Sequence, residues 1–189
     1  GANLSAGGVF TVVSDTLTTD GSITLTGTSG VSLKADAMAI GSSVSVTGGT
    51  SPVTISPRTD SRQIDLGNEA TGKLSLTSAE LNRITAGVLR IGAVGGSNSG
   101  TINVTAEIAP SGTSSLALRT SGSVIGTVGS SITETNLAIH ASAIDLPGNN
   151  SITGNLALVA TGGTITYNQT SGTFTPNAVD LISPVYGVP

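Results

Sequence analysis

Short apolar-x-apolar triplets recur along almost the whole chain, set in Ser, Thr and Gly. An i, i+2 spacing places both apolar side chains on one face of an extended strand, so each triplet predicts a short strand. One series reads Ile23/Leu25, Val44/Val46, Ile64/Leu66, Ile102/Val104, Val124, Ile144/Leu146 and Ile165/Tyr167. Its first members are 21, 20, 38, 22, 20 and 21 residues apart, and the segment from Ile84 to Leu89 fills the double step. A second series reads Val31/Leu33, Val53/Ile55, Leu74/Leu76, Leu116/Leu118, Leu137/Ile139 and Leu156/Leu158. Its steps are 22, 21, 42, 21 and 19, with the skipped member near Leu89 to Val94.

Two interleaved series with one period of about 20 residues predict an all-β fold. Each repeat is one coil, and each triplet stacks on its counterpart one coil later. The expected architecture is a right-handed parallel β-helix (β-solenoid), right-handed because parallel crossovers are. Strands about 4.8 Å apart make eight or nine coils a rod of roughly 40 Å. The polar groups Thr26 to Gly30, Thr47 to Ser51, Gly95 to Gly100 and Pro147 to Ser151 are the expected corners. A β-sandwich of short antiparallel strands accounts for single triplets but not for their recurrence.

One excursion interrupts the pattern near residues 78–84. Ser78 precedes Ala79, Glu80 and Leu81, with Leu81 and Ile84 at i, i+3. A Ser or Thr before such a run is an N-cap signature, Glu80 suits the helix dipole, and Gly87 supplies a stop. The solenoid is expected over residues 1–170. Residues 171–189, with three prolines after residue 172, are expected to form an irregular tail, linker or cap.

Composition sharpens this picture. Aromatics make up 2 % of the chain and Trp is absent, so the core must be thin, layered and aliphatic. Ser and Thr number 54 and Gly 26, a mixture that favours strands and turns. Only 10 % of residues are charged, which separates this polar chain from a disordered one. The net charge of −4 argues against nucleic acid and anionic membrane surfaces as partners. No apolar run reaches the roughly 20 residues that span a bilayer, so no membrane insertion is expected. No Cys is present, so there is neither a disulfide framework nor a thiolate metal site. The start at Gly1, without Met or signal peptide, leads to the expectation of a mature or internal piece of a longer protein.

Charge concentrates between Arg58 and Ile91, which holds five of the seven basic residues and four of the eleven acidic ones. Within it, Arg62-Gln-Ile-Asp-Leu-Gly67, Leu76-Thr-Ser-Ala-Glu-Leu81, Ile84-Thr-Ala-Gly87 and Leu89-Arg-Ile-Gly92 resemble a module of filamentous-haemagglutinin-like bacterial surface exoproteins. Thr101-Ile-Asn-Val-Thr105 and Leu116-Ala-Leu-Arg119 suit the same family. The close resemblance covers roughly residues 58–125. It implies a secreted, cell-surface or extracellular right-handed β-helix that serves as a stalk, filament or adhesive fibre. It carries no catalytic residues to transfer, and the family's N-terminal secretion signature is absent.

Candidate chemistry is sparse. The single His140 follows the inward Leu137 and Ile139 and is expected on the outer face. A lone surface His with no Cys offers no zinc site, and no G-x-S-x-G elbow accompanies the abundant serines. The other class to weigh is a carbohydrate-active β-helix enzyme, a polysaccharide lyase or hydrolase, which needs carboxylates converging on one coil face. Its best candidates are Asp60, Asp65 and Glu69 with Arg58, Arg62 and Lys73. The period places Asp65 near Val44 and near Thr85 or Ala86. It places Glu80 towards Asp60, with Arg62 and Arg83 nearby, so the charges are expected as surface pairs. No calcium-loop pattern occurs, and Val44-Ser-Val46 and Ile144-Asp-Leu146 interrupt the Thr rows begun by Thr24/Thr26 that an ice-binding face requires. Asn3, Asn103, Asn149 and Asn168 begin sequons that chance alone supplies in so Ser/Thr-rich a chain. The expected role is structural and adhesive, with no catalytic residue, cofactor or metal. Expected partners are further repeats or end-to-end self-association, with glycans or proteins on the outer faces.

Overall fold

The computed structural model describes residues 2–93 and 98–176. Parallel strands stack as a β-solenoid of about 8 turns with about 21 residues per turn. The first turn holds β1 (Ala2–Ala6), β2 (Val9–Val13) and β3 (Thr16–Thr19), and the second holds β4 (Ile23–Gly27), β5 (Gly30–Lys34) and β6 (Ala37–Ile40). Then come β7 (Val44–Thr47), β8 (Val53–Ser56), β9 (Arg62–Gly67), β10 (Leu74–Thr77) and the one-turn helix α1 (Ser78–Leu81). β11 (Ile84–Thr85), β12 (Leu89–Ile91), β13 (Ser99–Val104), β14 (Glu107–Ile108), β15 (Ser115–Arg119) and β16 (Val124–Gly126) follow. The last are β17 (Ser131–Glu134), β18 (Asn136–Ala141), β19 (Ile144–Ile152), β20 (Asn155–Ala160), β21 (Ile165–Ser171) and β22 (Thr175–Pro176).

Three faces surround the axis. The second is the most regular, an eight-stranded sheet in the order β2-β5-β8-β12-β15-β18-β20-β22. One inward column there runs Val31, Val53, Leu89, Leu116, Leu137, Leu156, each paired with the next. All six are 7 % exposed or less. Burying each such side chain contributes about 1.5–3 kcal/mol. The first face begins as β1-β4-β7-β11, and the third as β3-β6.

The third face contains a reversal of order. β9 pairs with β13, yet β10, which follows β9 in the chain, lies on its other side, next to β6. The chain thus lays down β9 one rung ahead and returns to fill the gap with β10. Only Asn68 to Lys73 connect these two parallel strands, whereas a crossover normally takes a dozen residues or more. The short return lies over the outer surface. Asp65 and Ser75 have outward parity on β9 and β10, but are only 4 % and 3 % exposed beneath it.

This insert explains where the periodicity misleads. Leu74/Leu76 belong with Ile64/Leu66 on the third face, not in the second series. Leu89/Ile91 occupy that place between Val53/Ile55 and Leu116/Leu118. The first series also changes face. Leu25 and Val46 continue to Ile84 on the first face, while Ile64 onwards runs along the third. The step of 20 residues from Val44 to Ile64 survives the change because residues 57–61 separate β8 from β9, where only Ala35 and Asp36 separate β5 from β6.

Other expectations shift locally. The N-cap is Thr77, not Ser78, and α1 ends at Asn82, ahead of Gly87. Gly87 instead permits close approach, since a Cβ there would lie 2.2 Å from the Thr50 carbonyl oxygen. Pro147 to Ser151 is no corner loop but the middle of β19, which turns from third face to first as a continuous strand. Of the Gly95 to Gly100 corner, residues 95–97 lie outside the described residues, and Ser99 and Gly100 open β13. Of the expected tail, Thr175–Pro176 pairs with β20 as β22, and residues 177–189 lie outside the described residues.

Two glycines separate strain from crowding. Gly67 has φ +114°, and a Cβ on it would meet the Ala106 nitrogen at 2.6 Å; Gly49 has φ +61° with open space around it. Gly49→Ala should therefore cost about 1 kcal/mol and Gly67→Ala about 2–4 kcal/mol in urea unfolding. Equal losses at both sites would show that the β9–β13 approach is not tight.

Candidate binding groove and the charged insert

The charges of the insert act mostly inward or along corners. The Lys73 Nζ donates to both oxygens of Asp65, at 3.1 and 2.9 Å, and the Asn103 Nδ2 donates to Asp65 Oδ1 at 2.7 Å. Ser75 Oγ holds the backbone N–H and C=O of Ala70, both at 2.9 Å. These contacts fasten the return loop over β9 and β10. Asp65 therefore lies beside Asn103 and Ser75, not beside Val44, Thr85 or Ala86, because the insert shifts the stacking. It is a buried structural carboxylate, not half of a surface pair.

Glu80 is buried as well, 6 % exposed. Its carboxylate accepts the Thr77 N–H at 2.9 Å and the Ile40 N–H at 2.8 Å, so a capping box is joined to β6. Arg83 donates from Nη1 to the Ile40 carbonyl on the same strand. Glu80 thus faces β6 instead of approaching Asp60. The Glu69 carboxyl hydrogen-bonds to Glu80, and its pKa is raised by desolvation, by that bond and by the neighbouring negative charge.

At the corner between second and third faces, Arg58 pairs with Asp15 on an exposed surface. Asp36 accepts the Arg58 and Thr59 N–H groups at 2.9 and 2.7 Å. Desolvation alone would raise the Asp36 pKa, but these bonds, the Thr59 hydroxyl and the Arg62 charge together hold it below 3.8. The six residues weighed for catalysis are thereby split between a corner and a loop fastening. Asp60 lies in the turn between β8 and β9.

His140 sits half-buried on the outer side of β18, in register with Arg119 and Val159. Desolvation and the Arg119 charge lower its pKa. Beside it the outward Ala117, Ala138 and Ala157 form a second small apolar cluster with Val88 and Val159. Among the described residues no group of three His, Cys, Asp or Glu side chains could hold a metal ion.

A concave surface lies elsewhere, on the first face of the later turns. A cleft of about 790 Å³ is lined by Glu107, Ser131, Thr133, Asn149 and Ser151, with Val128 and Pro147 at its rim. A second, of about 320 Å³, shares Thr133 and Ser151 with it and adds Thr113, Glu134 and Thr153. The corner at β19 creates the hollow. A Cβ on Gly148 would lie 1.7 Å from the Ser130 carbonyl oxygen, so only glycine lets β19 pass under the turn from Thr127 to Ser130. Asn150, 1 % exposed, stiffens the floor. It accepts the Ile132 N–H at 2.9 Å and donates to the carbonyls of Leu146, Gly148 and Asn168 at 3.2, 3.2 and 2.8 Å. Glu134 accepts from Thr113 Oγ1 at 2.9 Å and the Thr135 N–H at 2.8 Å, but desolvation outweighs these bonds and raises its pKa. Sequence reading missed this groove, because its residues are ordinary Ser, Thr and Asn. The only signal was Pro147-Gly-Asn-Asn150 following an apolar pair.

No family model, curated protein or solved structure matches this chain. What stands on the geometry is a β-solenoid repeat protein with a polar groove.

Two measurements test the roles given to the insert. Asp65→Ala leaves Lys73 and Asn103 without their acceptor; with Lys73 31 % exposed, the loss should be about 1–3 kcal/mol of unfolding free energy. No loss would mean that the loop is held without Asp65. Glu69 titrates with the opposite sign to a salt-bridged acid. Its folded pKa lies above 4.5, so its stabilising share is full below pH 4.5 and disappears as pH rises through the folded pKa. Glu69→Gln, which can donate to Glu80 without charge, should raise the urea midpoint at neutral pH and flatten its fall above pH 4.5. An unchanged pH slope would remove Glu69 from this account.

Proposed function

We propose that this chain is a non-catalytic structural and adhesive segment of an extracellular or bacterial cell-surface protein, of the filamentous-haemagglutinin-like kind. The observation that carries the reading is the uninterrupted parallel pairing of the second face, eight strands long. Such a face resists bending and leaves few loops for proteases. The outward Ser and Thr side chains provide a weakly charged surface suited to broad, low-affinity contact. Stacked coils propagate by adding parallel strands at their ends, so further repeats of the chain or end-to-end self-association are the natural partners.

The distribution of acids supports a non-catalytic role. Asp65 and Glu80 are consumed by Lys73, Asn103, Thr77 and Ile40, and Asp36 by the corner it caps. Among the described residues Glu107 and Glu134 are the two carboxyl groups lining the clefts, and no basic residue lines either cleft.

Purified chain should form short rods or end-to-end filaments by electron microscopy, survive protease under native conditions, and bind immobilised glycans or matrix proteins saturably. It should release no new reducing ends from polysaccharides. Sustained polysaccharide cleavage would overturn the reading in favour of a β-helix lyase or hydrolase.

A further inference from the structure

We infer that the groove across β14, β17, β19 and β21 is a binding site for a neutral, linear oligosaccharide lying along the rod axis. The inference rests on the adhesive reading and gives it a place on the molecule.

Its first support is the repetition of hydroxyl groups. Thr133 pairs with Ser151, and Ser151 with Ser171, so three hydroxyls stand in one outward column over three successive turns. A parallel column begins with Glu107 paired to Ser131, and the register of Thr133 with Ser151 brings Asn149 beside Ser131. Rungs are spaced about 4.8 Å apart, close to the length of one pyranose ring. A glycan chain aligned with the axis would therefore meet the same kind of donor and acceptor at each sugar.

The second support is elimination by chemistry. Among the described residues the charged groups lining the clefts are the carboxyls of Glu107 and Glu134, which disfavour phosphates, sulfated glycans and nucleic acid. Two carboxyls in separate clefts make no cation cage, and among the described residues no metal-binding group of three exists. The apolar residues lining the clefts are small or few: Val128, 97 % exposed on its turn, and Pro147 in the larger, Ala109 and Pro110 in the smaller. That suffices for the C–H face of a sugar but not for a lipid or an apolar peptide. The groove's strands β14, β17 and β19 are already paired with one another, which leaves little backbone for an added peptide strand. A rigid floor keeps the hydroxyls in place before binding, because Asn150 ties four backbone groups together beneath them.

Among the described residues no aromatic ring lines the groove, so a single site should bind weakly, with Kd on the order of 1 mM. Avidity in a cell-surface fibre would come from repeated display along or between chains.

Isotope-labelled chain can be titrated with four tetraoses: β-1,4-linked glucose, β-1,4-linked N-acetylglucosamine, α-1,4-linked glucose and, as an anionic control, α-1,4-linked galacturonate. At least one neutral probe should shift the amides of Ser131, Thr133, Asn149 and Ser151 saturably, and the galacturonate should not. Thr133→Ala with Ser151→Ala should weaken that binding about tenfold. Ser32→Ala with Thr54→Ala, outward on the second face, should leave it unchanged. Three outcomes overturn the site: no groove shifts with any neutral probe, equal shifts over Ser32 and Thr54, or undiminished binding by the groove variant. New reducing ends in the same tube would sink the non-catalytic reading while leaving groove occupancy standing. Loss of groove shifts with intact rods in the microscope would sink the groove alone.

Discussion

Everything in this protein depends on the stacking of one turn on the next. A strand in a parallel solenoid directs its N–H and C=O groups to the turns on either side of it. No turn can therefore satisfy its backbone alone, and the inward side chains have no neighbours except those of adjacent rungs. Aliphatic residues suit this constraint better than aromatic ones, because the interior is only as thick as two facing side chains. The columns from Val31 to Leu156 and from Leu33 to Ile139 are the result.

The same constraint decides where irregularity is tolerated. Inside a face, a slip of one residue would turn every buried side chain outward. Variation is accordingly placed at corners and supported by polar side chains that replace missing backbone partners. Ser99 holds Ala93 and the Arg119 carbonyl, Thr120 reaches the Ser99 carbonyl, and Asn136 takes the N–H of Asn155. The β9–β10 unit is the largest such departure. It brings its own polar fastening, in Asp65 with Lys73 and Glu80 with Ile40, because a six-residue return over a sheet would otherwise leave buried polar groups unmatched. The charge that first marked this segment as a candidate for chemistry is the support of an architectural detour.

Stacking also repeats whatever faces outward. On the second face this repeats Ser32 and Thr54 in the early turns and the Ala117, Ala138 and Ala157 cluster in the later ones. At the β19 corner, where Gly148 passes beneath Ser130, repetition and curvature coincide and a groove opens. Glu134 lies there with a raised pKa but is engaged by Thr113 and Thr135, which makes it part of the wall.

Triplet spacing alone was enough to establish strands, their inward faces and a parallel solenoid with about 20 residues per turn, against about 21 in the structure, because period-2 and turn-length recurrences are both local regularities of the chain. The helical excursion was legible too, through Glu80 and the Ser/Thr before it. Which face a triplet joins was not legible. Leu74 and Leu89 fit the same arithmetic, and only the return of β10 between β6 and β9 assigns them. The burial of Asp65 and the groove around Thr133 were decided by the tertiary structure for a related reason. Both arise where non-sequential rungs meet over a loop or a corner, and the distance between rungs is a property of packing that no spacing along the chain records.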